Sequence, residues 1–351
     1  MELDHTLLAP AAQRSDVAHV VYALSPAETG LFFSARPHLP ASLARESWVN
    51  AEAFSPSAWE ATLRSLRPSV LVTAWSCPLI PLSWALEDDC PLQYVCSVTG
   101  GVRCRVPREL IERGMLVTNW GVEVSQAVAE HAMLMVLALL RGVPQWGNLM
   151  NEHASMFVMM PKLRSRTLQG KRVGLHGFGA VARCLVGLLK PYEVELASYS
   201  EGVPENLFDE FGVRRCGTLA ELFSDSEILI ECEALHERSR GSVSAEILEL
   251  LPDDAVFVNV GRGAVADESA LAHLARAKRL RVGLDVFHKE PLAADSPLRD
   301  NAQILLSPHV AGPTWETYPL CGAGAINRLL AFLRGEVPDN RVTLEIYDRA
   351  T

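Results

Sequence analysis

A glycine-containing turn within residues 171–189 constrains the fold of this 351-residue chain more than any other feature. A short apolar strand pattern precedes the turn, and an apolar helical pattern follows it. Gly177 permits the tight turn, Gly179 permits the close approach of a pyrophosphate, and the small Ala182 permits close packing of helix on strand. Since N–H groups at the start of a helix bind phosphate, this order predicts a dinucleotide-binding unit. The G-x-G-x-x-A spacing by itself would also fit a plain tight turn.

Length and charge limit the classes of protein to which the chain can belong. Its length suits two domains of ordinary size. A net charge of −10 without a basic block argues against a nucleic-acid partner. Acidic residues interrupt every long apolar run, so no segment reaches the roughly 20 apolar residues that a membrane helix needs. We therefore expect a protein that binds neither nucleic acid nor membrane.

The cysteines and the N-terminus indicate a cytoplasmic location. The eight cysteines are scattered, with no C-x-x-C pair and no Cys/His spacing typical of a metal site. In a chain of this size we expect them to be buried or reduced thiols. Residues 1–5 are acidic and lack the basic start of a signal peptide. No metal site is expected.

Alternating strand and helix patterns predict parallel, helix-covered sheets. In the first third, the predicted strands are 19–24, 69–75, 92–98 and 115–119, and the predicted helices are 59–66 and 108–113. Beyond the glycine turn, strands are predicted near Val213 and at 227–230, 255–260, 281–287 and 303–306. Helices are predicted at 219–223, 244–250, 268–277 and 320–333.

The segment from Val124 to Leu140 is apolar on nearly every side. Ser125 is a candidate N-cap, and Arg141-Gly142 would end the helix. Such a helix must be buried, and the two predicted partners are the other domain and a second subunit. Residues 146–170 are expected to form a surface excursion with scattered polar groups.

Arg262, Glu290 and His309 each come a few residues after a predicted strand of the second half. Ligands of open parallel sheets bind beyond the carboxyl ends of the strands. One charged residue after a strand is ordinarily a solvated loop group, but three different chemical types at neighbouring strand ends favour an active site. Two other histidines are predicted to be structural: His131 on the long helix, and His176 at the glycine turn, facing solvent or sheet.

Four motifs, in this order, resemble those of the D-isomer-specific 2-hydroxyacid dehydrogenases, the family of phosphoglycerate, glycerate and D-lactate dehydrogenases. They are the G-x-G-x-x-A turn, Asn-Val-Gly-Arg-Gly at 259–263, Asp-Val-Phe-x-x-Glu-Pro at 285–291 and Pro-His-x-Ala-Gly at 308–312. The resemblance covers about residues 70–334, and residues 1–69 carry little of it.

The fold that we expect consists of two doubly wound, parallel-sheet α/β domains. A Rossmann cofactor domain, residues 122–313, would be inserted into a flavodoxin-like substrate domain, residues 1–121 and 314–351. The active site would lie in the cleft between the two domains.

The resemblance assigns a role to each of the three strand-end residues. Arg262 would bind the substrate carboxylate through the planar fork of its guanidinium. His309 would give a proton to the carbonyl oxygen during reduction, and Glu290 would orient the imidazole and favour its protonated form. The implied reaction is the reversible transfer of a hydride between NAD(H) and C2 of a 2-keto or D-2-hydroxy acid.

In the first domain, the resemblance implies that Thr99, Gly100 and Gly101 form the loop whose backbone amides bind the substrate carboxylate. The two glycines would allow that close approach, although a plain turn is equally compatible with the sequence. Arg103 would either meet a second anionic group of the substrate or be a surface arginine.

The cofactor residues implied by the resemblance include departures from the family pattern. The set is Gly177, Gly179, Ala180, Val181, Ser200, Cys232, Val260, Gly261, Asp285 and Gly312. Ser200 stands where an acidic residue usually binds the ribose hydroxyls; because Glu201 follows and no arginine does, NAD is favoured and NADP is not excluded. Cys232-Glu233-Ala234 replaces the usual His-x-Pro. Asp285 would contact the nicotinamide end, unless it binds only local backbone.

Two other functions on the same fold stay open. One is an NAD(H)-sensing interaction protein similar to the corepressors of the family, which can retain all three strand-end residues. The other is formate dehydrogenase, which resembles this chain except for a glutamine in place of Glu290. For the main interpretation we expect a small 2-keto or 2-hydroxy acid as substrate, a homodimer, and no C-terminal regulatory domain.

Overall fold

The computed structural model describes residues 17–152, 155–299 and 301–349 of the chain. The prediction about a signal peptide concerned residues 1–5 and lies outside them. The chain divides into two compact units: unit 1 is Met1–Glu123 with Thr314–Thr351, and unit 2 is Val124–Pro313. Each unit contains one β-sheet.

The strands and helices of the described residues are numbered in chain order. The strands are β1 (Ala18–Leu24), β2 (Ala44–Asn50), β3 (Val70–Thr73), β4 (Tyr94–Ser97), β5 (Leu116–Thr118), β6 (Arg172–His176), β7 (Glu195–Tyr199), β8 (Arg214–Arg215), β9 (Ile228–Glu231), β10 (Ala255–Asn259), β11 (Leu280–Leu284) and β12 (Ile304–Leu306). The helices are α1 (Pro26–Phe32), α2 (Pro56–Leu66), α3 (Leu82–Ala85), α4 (Arg108–Glu112), α5 (Ser125–Leu140), α6 (Val143–Asn151), α7 (Met156–Leu163), α8 (Ala180–Leu189), α9 (Glu205–Phe211), α10 (Leu219–Asp225), α11 (Ala245–Glu249), α12 (Glu268–Arg276), α13 (Thr317–Leu333) and α14 (Leu344–Arg349).

Unit 1 is built on a five-stranded parallel sheet with the order β2-β1-β3-β4-β5. Every residue of β1, β3 and β4 is buried. This is the pattern of parallel strands covered on both faces, which are continuous apolar runs. The strand order is that of a flavodoxin-like domain.

Unit 2 is built on a seven-stranded parallel sheet with the order β12-β11-β10-β9-β6-β7-β8. The chain runs outward from β6 to β7 and β8, and then returns to place β9 on the other side of β6. This reversal is the switch point at which Rossmann domains bind dinucleotides. The prediction of two doubly wound α/β sheets, one Rossmann and one flavodoxin-like, is therefore confirmed.

Helix α5 belongs to the core of unit 2, a burial partner that the sequence analysis did not name. It packs on α8, β10 and β11, and its side chains Met135, Val136 and Leu139 belong to the same core cluster as those of the sheet. Ser125 is not the N-cap. Val124 holds that position without a side-chain capping bond, and Ser125 is the first helical residue.

Residues 146–170 contain most of α6 and all of α7, where the sequence predicted a surface excursion. Pro161 lies inside α7, which buries none of its residues. The exposed apolar side chains of the two helices are Trp146, Met150, Met156, Phe157, Val158 and Met160. Because α7 buries no apolar stripe, the amphipathic signal of an ordinary surface helix is missing.

Among the described residues, no single helix is long and apolar enough to cross a membrane. Helices α5 and α6, which are bent by 44° relative to each other, pass that test only as a pair and by length and composition alone.

Residues 17–69 and the C-terminal part contain elements that we did not predict. Strand β2 pairs with β1 over its full length, but its charged residues at 45–46 break the apolar pattern of a strand. Helix α1 begins with a capping box formed by Ser25 and Glu28. Helices α3 and α14 were also missed. Helix α13 begins at Thr317, ahead of Pro319, because proline is tolerated in a first helical turn.

Candidate active site

The carboxyl edge of the unit 2 sheet carries the three ionisable residues predicted from the sequence. Arg262, Glu290 and His309 follow β10, β11 and β12, which are neighbours in the sheet in that order. Because the strands are parallel, their three following loops leave the sheet at the same edge. The structure therefore brings together the residues to which catalytic roles were assigned.

His309 and Glu290 form a hydrogen-bonded pair. Nδ1 of His309 lies 2.6 Å from Oε2 of Glu290. The other carboxylate oxygen, Oε1, accepts a hydrogen bond from the N–H of Phe287 at 3.0 Å, which fixes the carboxylate. The side chains of His309 and Glu290 are 47% and 36% exposed, so a small molecule can reach the ring. A carboxylate on Nδ1 leaves Nε2 as the nitrogen that exchanges a proton.

The backbone of His309 is held in the left-handed region, with φ of +55°. This conformation is uncommon for a residue with a side chain. The N–H of His309 donates to the carbonyl of Asp285 at 2.8 Å. The buried carboxylate of Asp285 accepts from the N–H groups of Val310 and Ala311 at 2.9 and 3.0 Å. Asp285 therefore binds backbone 25 and 26 positions further along the chain and fixes the loop of His309. Its contact with the nicotinamide end stays a prediction.

His131 of α5 contacts the same network, although the sequence predicted only a packing role. Its Nε2 lies 2.9 Å from Oγ of Ser307 and 3.5 Å from Oδ1 of Asp285. Ser307 in turn donates to Oδ1 of Asp285 at 2.6 Å. The spacing of residues gives no sign of this contact, since His131 and Ser307 are 176 positions apart.

Hydrogen bonds within the 259–263 motif hold the loop of Arg262 in place. The side chain of Asn259 accepts from the N–H of Gly261 at 3.0 Å and donates to the carbonyl of Arg262 at 3.1 Å. An added Cβ at Gly263 would collide with the carbonyl group of Phe287, so only glycine lets these two strand-end loops pack together.

The guanidinium of Arg262 is half-buried and interacts with the charge of Glu290. Its Nη1 donates to the carbonyl of Gly261 at 2.7 Å. Burial lowers the pKa of Arg262, and the charge of Glu290 acts in the opposite direction. A guanidinium keeps its charge under such a shift, so the site offers a positive fork for an anion.

An open pocket of about 660 Å³ in unit 2 borders His309 and Glu290. Glu290 and His309 line one part of it, and the apolar side chains of Phe287, Leu292 and Leu306 line another. This volume lies in the usual range for small-ligand sites.

The glycine turn after β6 has the geometry of a phosphate site. Gly177 has a φ of +87°, and an added Cβ there would lie 2.7 Å from the backbone of Glu233. Gly179 is the N-cap of α8, and an added Cβ at Gly179 meets nothing within 4 Å among the described residues. Ala180 and Val181 open the helix. This open helix start fits the pyrophosphate of a dinucleotide.

The strand ends next to the glycine turn carry charged and polar groups that contact each other. Ser200, directly after β7, donates to Oε2 of Glu233 at 3.1 Å. Glu201 pairs with Arg238 at 2.9 Å between Oε2 and Nη1. The sequence pattern indicated no arginine near Glu201. The structure corrects that expectation, because Arg238 comes from the loop after β9.

His176 and Glu231 form a buried pair beneath the turn, where we predicted a histidine facing solvent or sheet. Their side chains are 4% and 0% exposed, and Nδ1 lies 2.5 Å from Oε2. Burial by itself disfavours the charged imidazole, but the charge and hydrogen bond of Glu231, with Glu233 and Glu201 nearby, raise the pKa of His176. The raised pKa favours a charged imidazole next to the carboxylate of Glu231.

The remaining predicted cofactor residues lie along the same edge. Val260 is buried after β10, and an added Cβ at Gly261 would lie 2.9 Å from the carbonyl of Glu233. Burial raises the pKa of the Cys232 thiol well above its usual value, which makes it a poor nucleophile. All eight cysteines are free thiols, as predicted. Gly312 follows the loop of His309, at the end of unit 2.

In unit 1, the loop of Thr99, Gly100 and Gly101 is held through its carbonyl groups and the Thr99 hydroxyl. Asn119 donates to the carbonyl of Gly100 at 2.7 Å. Arg105 donates to the carbonyl of Gly101 and, at 3.2 Å, to Oγ1 of Thr99. Within the described residues, the N–H groups of the two glycines take no part in these bonds. They are the donors that an anion would meet.

Two arginines near this loop have different surroundings. Arg105 is buried, and burial lowers its pKa. Arg103 is exposed and lies over the ring of Tyr347, with 5.7 Å between its guanidinium carbon and the ring centre. The surface alternative therefore fits Arg103, and Arg105, which the sequence did not single out, supports the loop.

Comparisons with known proteins agree with this geometry. The sequence profile described as "D-isomer specific 2-hydroxyacid dehydrogenase, NAD binding domain" matches residues 133–311. A glyoxylate reductase of Aeropyrum pernix is 30% identical over 240 residues, which are 66% of this chain and 71% of the relative. The PH0520 protein of Pyrococcus horikoshii OT3 superimposes with a TM-score of 0.75 at 24% identity, covering 94% of this chain and 96% of that one. The NADPH-dependent glyoxylate/hydroxypyruvate reductase of Sinorhizobium meliloti superimposes with a TM-score of 0.70 at 20% identity, covering 95% and 100%.

Proposed function

This chain belongs to the D-isomer-specific 2-hydroxyacid dehydrogenase family, and on that premise we propose which of its residues carry the reaction. The proposed reaction is the reversible reduction of a 2-keto acid to a D-2-hydroxy acid. The observation that carries the proposal is the 2.6 Å contact between His309 and Glu290 at the strand end next to that of Arg262.

The three residues divide the chemistry among them. Arg262 binds the substrate carboxylate and leaves the carbonyl carbon within reach of the cofactor. Nε2 of protonated His309 gives its proton to the carbonyl oxygen as the alcohol forms, and takes it back in the reverse direction. Glu290 keeps Nδ1 protonated and the ring in place, which stabilises the imidazolium before the proton leaves.

NAD(P) would be held along the carboxyl edge of unit 2. Gly177, Gly179 and the first N–H groups of α8 would bind the pyrophosphate, and the open space at Gly179 supports that assignment. The loops after β9 and β10, which include Cys232 and Gly261, would line the cofactor. When bound, the nicotinamide exchanges a hydride with C2 of the substrate. Asp285 would act by fixing the loop that carries His309.

In unit 1, we propose that the N–H groups of Gly100 and Gly101 bind a substrate carboxylate. Their carbonyls are occupied by Asn119 and Arg105, which orients the peptide groups of the loop. This role is independent of Arg103.

Glyoxylate and hydroxypyruvate are the first substrates to try, because they appear in the names of relatives of this chain. The test is a panel of glyoxylate, hydroxypyruvate, pyruvate, phenylpyruvate and 2-ketoglutarate with NADH and with NADPH. The proposal expects saturable oxidation of the nicotinamide with at least one of them. A fully folded protein that binds the cofactor and reduces none of the five would contradict the proposed reaction. The interaction-protein alternative is not favoured by these relatives.

We also propose that the chain is a homodimer through unit 2. Helices α6 and α7 expose Trp146, Met150 and Phe157 to solvent, more apolar surface than a lone unit usually leaves uncovered. Light scattering should give about twice the 38.4 kDa mass of the chain. Phe157→Glu should give the single mass, and Val337→Glu, an exposed apolar position of unit 1, should not. A wild-type monomer across the micromolar range would overturn the proposal.

A further inference from the structure

The structure places a carboxylate next to Ser200, although residue 200 itself is not acidic. In a dinucleotide-binding domain, an acidic residue at the end of the second strand binds the adenosine ribose hydroxyls. Here the second strand of unit 2 is β7, and the residue after it is Ser200. The hydroxyl of Ser200 donates to Oε2 of Glu233 at 3.1 Å. The carboxylate of Glu233 therefore reaches the end of β7 from the neighbouring loop after β9.

Glu233 is held in place from several sides. Its backbone packs against Gly177, where an added Cβ would lie 2.7 Å from it, and against Gly261, where the distance to its carbonyl would be 2.9 Å. Its N–H donates to Oε1 of the buried Glu231 at 2.7 Å. Its own Oε1 accepts from the N–H of Ala234 at 3.0 Å. These backbone contacts and hydrogen bonds therefore fix the position of the Glu233 carboxylate.

The carboxylate of Glu233 keeps capacity for a ligand. Two carboxylate oxygens can accept about four hydrogen bonds. The contacts from Ser200 and from Ala234 use one on each oxygen. The side chain of Glu233 is 15% exposed, so part of it can contact a bound molecule.

We infer that Glu233 supplies the carboxylate that binds the adenosine ribose of the cofactor, in place of the acidic residue missing at position 200, and that it makes the chain select NAD(H) over NADP(H). The inference deepens the proposed function and rests on it for the cofactor, but not for the substrate or for His309. In this arrangement Ser200 orients the carboxylate instead of binding the ribose in its place.

The charges around Glu233 also disfavour a 2′-phosphate. Arg238, the cation nearest to the end of β7 in the contacts described, is already paired with Glu201 at 2.9 Å. His176 is paired with Glu231, and Nε2 of His236 lies 3.9 Å from Oε1 of Glu233. A phosphate on the ribose would meet the negative charge of Glu233, while the guanidinium of Arg238 is held by Glu201.

The test measures binding rather than turnover. Dissociation constants of the whole protein are determined by titration calorimetry for NADH, for NADPH and for the NADH analogue whose adenosine ribose lacks the 2′-hydroxyl. Wild type should bind NADH about tenfold more tightly than either other molecule. The analogue without the 2′-hydroxyl loses a hydrogen bond to the charged carboxylate, and NADPH adds a repulsion between its 2′-phosphate and that carboxylate. Glu233→Gln should weaken NADH binding and reduce both differences to less than about threefold.

Three variants make the result specific. Glu237→Gln, an exposed neighbour in the same loop, should bind all three molecules like wild type. Glu233→Gln combined with Ser200→Asp should regain tight NADH binding, because the carboxylate returns to the usual position. Glu233→Asp keeps the charge but shortens the side chain, so it should also lose the preference for the 2′-hydroxyl. This variant replaces Glu233→Gln in the binding measurement if Glu233→Gln does not fold.

Two outcomes overturn the inference. If folded Glu233→Gln or Glu233→Asp keeps the wild-type differences among the three molecules, Glu233 does not bind the ribose, and the proposed reaction is unaffected. If wild type binds neither NADH nor NADPH, the proposed function fails and this inference fails with it.

Discussion

The two ends of the carboxyl edge of unit 2 depart from the family pattern to different degrees. At the end formed by β10, β11 and β12, the motif residues Arg262, Glu290 and His309 are all present, and the structure places them in neighbouring loops. At the end formed by β6, β7 and β9, Ser200 and Cys232-Glu233-Ala234 replace the usual residues. The first end would carry the reaction, and the second would bind the adenosine half of the cofactor.

The strand ends of β6, β7 and β9 carry two pairs of contacting side chains. His176 has Glu231 as its partner across two neighbouring strands, and Ser200 has Glu233. The members of these pairs are 55 and 33 positions apart in the chain. Ser200, which departs from the family pattern, therefore contacts a carboxylate that the fold brings next to it. The two ends should respond differently to substitution.

The largest effect is expected at the catalytic end. His309→Ala should lower kcat by about 10² to 10⁴-fold, because proton transfer by a positioned side chain contributes that much. NADH binding should stay within a few-fold of wild type. Steady-state kinetics and calorimetry on the same preparation give both numbers. His288→Ala, an exposed histidine close to Glu290 in the chain, is the matched control and should keep wild-type turnover. Equal activities of the two variants would remove His309 from the mechanism.

Arg262→Lys should act on substrate binding. The ammonium keeps the charge but loses the two parallel donors of the guanidinium. We expect KM for the 2-keto acid to rise about tenfold to 100-fold, with a smaller change in kcat. A change in KM that is larger than the change in kcat would show that Arg262 acts in substrate binding. An unchanged KM together with a large fall in kcat would mean that Arg262 does not bind the carboxylate.

At the adenosine end, breaking one partner of the buried pair should reduce stability. Glu231→Leu leaves His176 without its partner and should lower the free energy of unfolding by about 2–3 kcal/mol. Breaking a buried ion pair ordinarily costs about 3–5 kcal/mol. We expect a smaller cost here because the imidazole can release its proton and become neutral. His176→Ile with Glu231→Leu should recover most of that loss. Urea unfolding of the three proteins measures it, and a double variant no better than the single one would contradict the pairing.

The same pair predicts a pH dependence with a definite sign. Because the pKa of His176 is raised in the folded protein, its stabilising effect is complete below the ordinary value of 6.5 and is lost as pH rises through the folded value. The stability advantage of wild type over His176→Ala should therefore shrink from pH 6.5 upward. An advantage that grows over this range would mean that His176 is not charged in the fold.

Prediction from sequence succeeded where apolar runs and contiguous motifs carry the information. The strands β9, β10 and β11 are such runs, and the contiguous motifs indicated the family that the sequence profile also matches. The catalytic roles of Arg262, Glu290 and His309, which were taken from those motifs, stay predictions. It failed at β2, a half-exposed edge strand with charged residues, and at α7, whose apolar side chains face outward. Contacts such as those of His131 with Ser307 could not be predicted, because they depend on which loops the folded sheet brings together.

The roles of His309 and Glu290 are the centre of this account, and the pH profile of kcat/KM for reduction tests them most directly. Reduction needs a proton donor, and the negatively charged carboxylate of Glu290 lies 2.6 Å from Nδ1 of His309. Glu290→Gln removes that charge while keeping the shape of the side chain. Its reductive kcat/KM should begin to fall at a lower pH than that of wild type, with NADH binding preserved. If the two profiles fall at the same pH, Glu290 does not sustain the charged form of His309, and the proposed acid–base pair is wrong.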